Sequence, residues 1–485
     1  MNLVPILEPN WFQAILPEVV LSISGLVLIL LDAFAPKLRH YFSHIAVLAL
    51  IGAAFAALSA PRGAWFGAMY ETGLLTLIFD YIFILATLLV VLLSRGYMAI
   101  QRLEGGEYYA LLMWGTVGMM MMAKGLDLLI VILGLEMLSI CLFVLTGYHR
   151  RIPISNEASL KYFLMGAFAT GFILYGTAFV YGLTGSTNVL QLAQWTTSTA
   201  AMPPLMTVAV VLLMGGIGFK LALAPFHGWA PDVYQGAPTP VAAWLSTAPK
   251  AATLVALIRI WDALAQGEAR PAWAGLVAAL AVLSMVVGNL VAIAQRDLKR
   301  MLAYSGIAHV GYMMIAVYVI SPDSVAAVTI YAVSYALMNI GAFGVIALLQ
   351  KNQNDAQTLD DIAGLGFRRP FHGIALAIAM LSLAGVPPTA GFIAKFYLFK
   401  TAIASGAIWI TIVAIVMSIT SVYYYLRVVY YLYMKDADEP AVETGRDIFS
   451  TAALAISSIG IFLIGILPTG LIRGALEAAR HVIAP

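Results

Sequence analysis

The chain has 485 residues, of which 62% are hydrophobic and only 10% charged, and its mean hydropathy is +0.93. A soluble domain cannot hide that much apolar surface, so the lipid bilayer must be part of the solvent. The net charge of +2 comes without a long basic or acidic run and gives nucleic-acid binding no support. The single cysteine, Cys141, excludes an internal disulfide, and any iron–sulfur cluster or zinc ribbon held by this chain alone.

The N-terminus, MNLVPILEPNWFQAILPEVV, lacks the cationic start of a cleavable signal peptide, and Glu8 and Glu18 have the wrong sign for one. The first apolar segment is therefore expected to stay as a span. A bilayer is crossed by about 20 apolar residues in a helix. Fourteen such segments follow in order: 13–35, 43–60, 74–95, 107–122, 125–147, 157–183, 204–228, 241–264, 273–294, 301–320, 325–349, 372–399, 403–433 and 449–472. The runs are long and continuous and do not alternate, which favours helices over a barrel. The expected fold is an all-α polytopic membrane protein.

Fourteen spans place both termini on one side. With the N-terminus outside, the inside segments carry fifteen of the lysines and arginines, among them Arg150, Arg151, Lys299, Lys351 and Arg446, whereas the outside segments carry six, including Arg62, Lys124 and Arg270. This bias predicts that both termini face outward. Five cations remain within spans: Lys161, Lys220, Lys250, Arg259 and Lys395. Among carboxylates, Glu136 stands at the centre of LLIVILGLEMLSICLFVL.

A charge at bilayer depth costs roughly 2.5–3.5 kcal/mol on insertion scales, a cost usually offset by a partner or a water-filled cavity. Burial makes lysines and glutamates easier to neutralise, so a row of them linked by water is a candidate proton relay. Arg259, near the outer end of its helix, is expected to snorkel. Lys161, one turn from the inner end, has snorkelling and function equally open to it. Lys395 lies near the outer third of its span. Lys220 and Lys250 sit about 12–13 Å from the inner end at the helical rise, too deep for easy snorkelling. Glu136 is deeper still and its stem is short. His227 and His309 read either as satisfied core histidines or as relay members. A haem between facing histidine pairs is not expected, because no span holds two histidines. The glycines of GGIGFK at 215–220 lack the full spacing of a phosphate loop and are expected to serve helix packing.

The seventh span carries Pro225 in KLALAPFHG, and the twelfth carries Pro387 and Pro388 in SLAGVPPTAGFIAKF. Proline removes a backbone donor and clashes with the preceding turn, so both helices should break. The two broken spans are five helices apart and cross in opposite directions, as in an inverted repeat. This divides the chain into 1–106 (three helices), 107–266 (first five-helix repeat, helices 4–8), 267–434 (second repeat, helices 9–13) and 435–485 (C-terminal helix).

Four segments together carry a resemblance: LGLEMLSICLFVLTGY (133–148), GFKLALAPFHGWAPDVYQGAPTPVAAWLSTAPK (218–250), NLVAIAQRDLKRMLAYSGIAHVGY (289–312) and LAGVPPTAGFIAKFY (383–397). They resemble the antiporter-like subunits of respiratory complex I, the proton-pumping NADH:quinone oxidoreductase, and within them the subunit N branch. The likeness covers essentially the whole chain. PFHxWxPDVYQGAPTPV is its most specific part, since sodium/proton antiporter relatives differ after PFHxWxP. The chain also stops shortly after the last span, without a long lateral helix.

The resemblance implies a proton relay of Glu136, Lys220, Lys250 and Lys395 with His227. Lys161 and His309 are further candidates. The eleventh span has no lysine or histidine where a sister subunit type has a lysine. Tyr331, Ser334 and Tyr335, or water, would bridge that gap. No cofactor or metal is expected in this chain. FMN, iron–sulfur clusters and quinone are expected in partner subunits of the membrane arm and beyond, and the implied location is a bacterial inner membrane. A subunit of a sodium/proton antiporter complex shares the same charges and is the alternative; a purely structural membrane spacer is a third reading.

Overall fold

The computed structural model describes residues 9–199, 202–265, 270–351, 354–355, 358–436, 443–444 and 447–480. Glu8, Arg446 and the repeat boundary at 266/267 lie outside the described residues. Each of the fourteen expected segments contains a helix. These are α1 (Leu16–Phe34), α2 (Phe42–Ser59), α3 (Leu74–Gln101), α4 (Gly106–Lys124), α5 (Leu128–Thr146), α6 (Pro153–Thr184) and α7 (Pro204–Leu221), then α8 (Ala230–Gly236), α9 (Thr239–Ser246), α10 (Ala248–Leu264), α11 (Arg270–Ala294), α12 (Leu298–Val319) and α13 (Pro322–Leu348). The chain continues through α14 (Pro370–Ala384), α15 (Ala390–Ala404), α16 (Ile408–Tyr433), α17 (Ile448–Ile466) and the short α18 (Thr469–Ala479). Twelve helical stretches among the described residues, with α9 and α10 taken as one, are long and apolar enough to cross a membrane. The chain is thus a polytopic helical membrane protein.

Polar residues at the segment edges start many of these helices. Asp127, Asp297, Ser321 and Asp447 each accept a hydrogen bond from a first-turn backbone N–H of α5, α12, α13 and α17. Such caps satisfy donors that a helix leaves unpaired at its N-terminus. Two small antiparallel sheets lie between helices, and apolar run length gives no sign of them. One is the hairpin β1 (Gly63–Trp65) with β2 (Tyr70–Thr72); the other orders β4 (Asn354–Asp355), β3 (Leu349–Lys351) and β5 (Glu443–Thr444).

The centre of the molecule is built from α9–α10, α12 and α13, which are almost entirely buried, while α1, α6, α16 and α17 leave most of their surface outward. The central helices are the less apolar ones. Outward helices must satisfy lipid with their side chains, whereas central helices face protein and can hold polar groups there. Gly216 lets α7 close on α6: a Cβ there would sit 2.6 Å from the Ala169 carbonyl oxygen. The glycines of GGIGFK therefore include a packing position, as expected from the sequence.

Both expected breaks occur. After α7, Ala222 takes a left-handed φ of 58°, and the N–H groups of Ala222 and Leu223 bond back to Phe219 and Gly218 at 2.9 and 2.8 Å. After α14, Gly385 takes φ 90°, and Gly385 and Val386 bond back to Ser382 and Leu381, both at 3.0 Å. The two ends thus share one C-terminal capping motif. A third interruption is a correction to the reading of the proline pattern. The eighth span is divided at Thr247, with Pro249 in the first turn of α10. The signal was in the sequence, because Pro249 is as interior to its span as Pro225 is to the seventh.

Candidate functional site

Of the relay candidates, Lys220 and Lys395 sit beside the two helix breaks, and Lys250 and His309 lie on the central α10 and α12. On α5, Glu136 accepts a hydrogen bond from the Thr170 hydroxyl of α6 at 2.6 Å. On α7, the Lys220 ammonium donates to Ser139 Oγ at 2.6 Å and lies 3.9 Å from Glu136 Oε1. The pair is therefore at the outer limit of contact, and each member is held by a hydroxyl of its own. Lys220 is buried, with 6% of its side chain exposed, but Glu136 is 32% exposed. Glu136 thus keeps its expected depth along the helix but is partly exposed on the chain's own surface, between the outward-facing Leu133 and Ile140.

Lys250 follows the third interruption, at the start of α10. It is 2% exposed, and its Nζ has no hydrogen-bond partner among the described residues. The ammonium lies 5.5 Å from the centre of the Tyr234 ring, whose face attracts a cation. A Cβ on Gly306 of α12 would come within 2.8 Å of Lys250 Nζ and 2.9 Å of the Tyr335 hydroxyl. Glycine here leaves space beside α12 for the Lys250 ammonium and the Tyr335 hydroxyl. No hydrogen bond or ion pair joins Lys220 to Lys250 among the described residues.

His309 of α12 is fully enclosed. Its Nδ1 shares a hydrogen bond with the Tyr331 hydroxyl at 2.7 Å and its Nε2 with Tyr425 at 3.0 Å. The Tyr335 ring lies 5.0 Å away. Tyr331 and Tyr335 of α13 both lie against the histidine of the neighbouring helix. Ser334 does not: its hydroxyl bonds back to Ile330 of its own helix at 2.8 Å.

Lys395 lies on α15, beyond the second break, and reaches back across it. Its Nζ donates to the carbonyls of Leu383 and Ala384 at 2.9 and 3.1 Å and to Ser418 Oγ at 3.0 Å. Those carbonyls end α14, where the helix dipole favours a cation. The ammonium also lies 5.6 Å from the centre of the Tyr312 ring, which meets His309 edge-on at 5.8 Å.

The remaining candidates are not gathered with these. His227 sits half-buried in the first break, 6.4 Å from the Tyr304 ring, and its Nδ1 has no hydrogen-bond partner among the described residues. Lys161 is well exposed and paired with Glu157 at 2.7 Å and Asp232 at 3.0 Å, and Asp232 also binds Arg300 at 2.7 Å. It belongs to a charged cluster at a helix end, apart from the buried lysines. Arg259 does not snorkel. It is buried and paired with Glu71 of β2 at 2.7 Å, beside a cavity of about 850 Å³ that none of the relay lysines lines.

Several contributors escaped sequence reading. Ser305 and Tyr425 share a hydrogen bond at 2.5 Å next to His309, and Asn289 links Tyr312 at 2.9 Å to Tyr424 at 3.0 Å. Each is a polar residue inside an apolar span, so the signal was present but weaker than a formal charge. The buried trio of Glu18, Asp80 and Lys124 was also missed, since Lys124 was counted with the loop cations.

Residues 125–421 match the family described as NADH:quinone oxidoreductase/Mrp antiporter, TM. NADH-quinone oxidoreductase subunit N of Trichlorobacter lovleyi is 42% identical over 99% of this chain and 100% of its own length. The subunit N of Acidithiobacillus ferrooxidans is 38% identical over 98% of this chain and 99% of its own. A chain in the structure of respiratory complex I from Thermus thermophilus with bound aureothin superposes with a TM-score of 0.80 at 33% identity, covering 94% of this chain and 98% of that one. A chain of the Mrp complex from Dietzia sp. DQ12-45-1b superposes with a TM-score of 0.84 at 19% identity, a likeness of fold alone. With buried glutamate and lysine groups set on an antiporter-like helical fold, the chain belongs to the subunit N family of NADH-quinone oxidoreductase, within the NADH:quinone oxidoreductase/Mrp antiporter family.

Proposed function

We propose that this chain is the proton-translocating part of an NADH:quinone oxidoreductase membrane arm and moves protons along Glu136, Lys220, Lys250, His309 and Lys395. The observation that carries this reading is the position of His309 on α12, between Gly306, against which the buried Lys250 ammonium sits, and Tyr312, whose ring the buried Lys395 ammonium approaches to 5.6 Å. Tyr331, Tyr335 and Tyr425 surround the imidazole and supply hydroxyls that can donate and accept. Glu136 and Lys220 form the switch. An ionised Glu136 close to Lys220 favours the charged ammonium, and drawing Glu136 toward Thr170 or an outside partner weakens that hold. The proton released passes by way of Lys250 and His309 to Lys395 and leaves on the far side.

Fourteen membrane crossings, two inverted repeats at 107–266 and 267–434, and outward-facing termini in a bacterial inner membrane complete this reading. Neighbouring membrane-arm subunits cover the exposed face around Glu136 and drive the switch electrostatically. FMN, iron–sulfur clusters and quinone belong to partner subunits; one cysteine supplies no cluster ligand set. The test is NADH-driven acidification of vesicles holding the purified assembly with Lys220→Ala or Glu136→Gln. Pumping is expected to be lost and NADH oxidation slowed in step while the assembly stays intact. Normal pumping in both variants would refute the relay.

A further inference from the structure

A second buried carboxylate–lysine site lies in the first four helices, and the relay does not use it. Lys124, the last residue of α4, places Nζ 2.6 Å from Glu18 Oε1 of α1 and 2.7 Å from Asp80 Oδ2 of α3. The Tyr70 hydroxyl of β2 donates to the same Glu18 oxygen at 2.6 Å. All three charged side chains are at least nine-tenths buried, and both Glu18 Oε2 and Asp80 Oδ1 lack a hydrogen-bond partner among the described residues. Tyr81, beside Asp80, turns its hydroxyl to the Ala54 carbonyl at 3.1 Å and adds no donor here.

Two carboxylates facing one ammonium leave a net negative charge in a buried place. Buried charges are tolerated when they are paired, and an uncompensated one is driven to neutralise. Two carboxylates that share a site also oppose each other's ionisation. The missing partner must be small, because the three charged chains already touch and only two oxygens are unpartnered. Hard divalent cations gather six or more oxygens, which this site does not offer.

We propose that Glu18 and Asp80 together bind one proton, making a neutral site of one carboxylic acid, one carboxylate and one ammonium. The hydrogen bonds decide which oxygen holds it. Glu18 Oε1 receives both the lysine and the Tyr70 hydroxyl, so Glu18 keeps the negative charge. Asp80 has the lysine alone on Oδ2, and the proton sits on Oδ1. This proton-binding site stands whether or not the relay reading holds.

Infrared spectra of the purified assembly in H₂O and D₂O test it through the carbonyl band of a protonated carboxylic acid. Asp80→Asn is expected to remove one acid's worth of that band while the assembly persists, since asparagine imitates the neutral acid. Glu18→Gln is expected to remove the same amount, because Asp80 then ionises against Lys124. Lys124→Met is expected to add one acid, as both carboxyls lose their counter-charge; its failure to assemble leaves the other two variants decisive. An unchanged band in both Asp80→Asn and Glu18→Gln overturns the proposal, as does loss of assembly in both. A band that appears only when sodium is withdrawn assigns the site to that ion and overturns it equally.

Discussion

The two broken helices meet the same physical problem with different residues. Each ends in the same cap, and each leaves carbonyls of its last turn without a following helical N–H. At the first break the Trp229 indole donates to the Phe219 carbonyl at 2.9 Å, and Lys220 is free to face Ser139 and Glu136. At the second break the lysine itself, Lys395, takes the carbonyls of Leu383 and Ala384. A neutral donor thus frees one lysine for a carboxylate, whereas the other lysine is tied to backbone. The difference separates a cation that can change partner from one that also holds the fold.

The largest expected effect tests that division. Lys395→Met should abolish pumping and also destabilise the chain, because two carbonyls lose a donor at about 1–3 kcal/mol for each buried group left unsatisfied. Lys220→Met should abolish pumping with far less loss of stability. Ser139 keeps its bond to Leu135 at 2.6 Å, and Glu136 keeps Thr170. Thermal unfolding of the purified assembly, followed by release of this chain, measures the contrast. Equal destabilisation by the two substitutions would break the comparison.

A smaller effect separates residues one helical turn apart on α13. Tyr331→Phe removes a hydroxyl from His309 and should slow pumping about three- to tenfold, the worth of one hydrogen bond. Ser334→Ala removes a hydroxyl that bonds only its own helix and should leave the rate unchanged. A slow Ser334→Ala with a normal Tyr331→Phe would move the path one turn along α13, from Tyr331 to Ser334.

These contrasts also mark what the sequence could and could not reveal. Helices were legible because a lipid-facing segment must be a long apolar run, and formal charges within such runs are conspicuous. The partners of those charges were not legible. Ser139, Thr170 and Ser418 look ordinary in an apolar helix until folding sets them against Lys220, Glu136 and Lys395. Depth along a helix was readable, but direction around it was not, and the partial outward turn of the Glu136 side chain could not be foreseen. Arg259 and Lys124 were assigned to water by their nearness to helix ends. Each found a carboxylate from a distant segment instead.

The neutral donor at the first break gives the next prediction. Trp229→Phe keeps an aromatic ring stacked on Tyr162, at present 4.5 Å between centroids, but removes the N–H that reaches Phe219. The carbonyl still accepts from Ala222, so the expected cost is only about 1 kcal/mol. Pumping should persist, because the relay contacts of Lys220 do not pass through the indole.

The smallest effect concerns the caps themselves. Gly385 and Ala222 occupy equivalent left-handed positions, at φ 90° and 58°, but only glycine adopts that conformation without a Cβ penalty. Ala222 accepts a penalty of roughly 1–2 kcal/mol, partly balanced by the smaller freedom of alanine in the unfolded chain, about 0.5–1 kcal/mol. Ala222→Gly should therefore stabilise the chain by up to about 1 kcal/mol and leave pumping intact. A methyl group is removed from a fully buried position, so the gain would vanish if that methyl fills space rather than strains the turn. A loss of stability would then mean that the two breaks differ in packing as well as in chemistry: the first held by a side chain at its cap, the second by the ammonium that reaches across it.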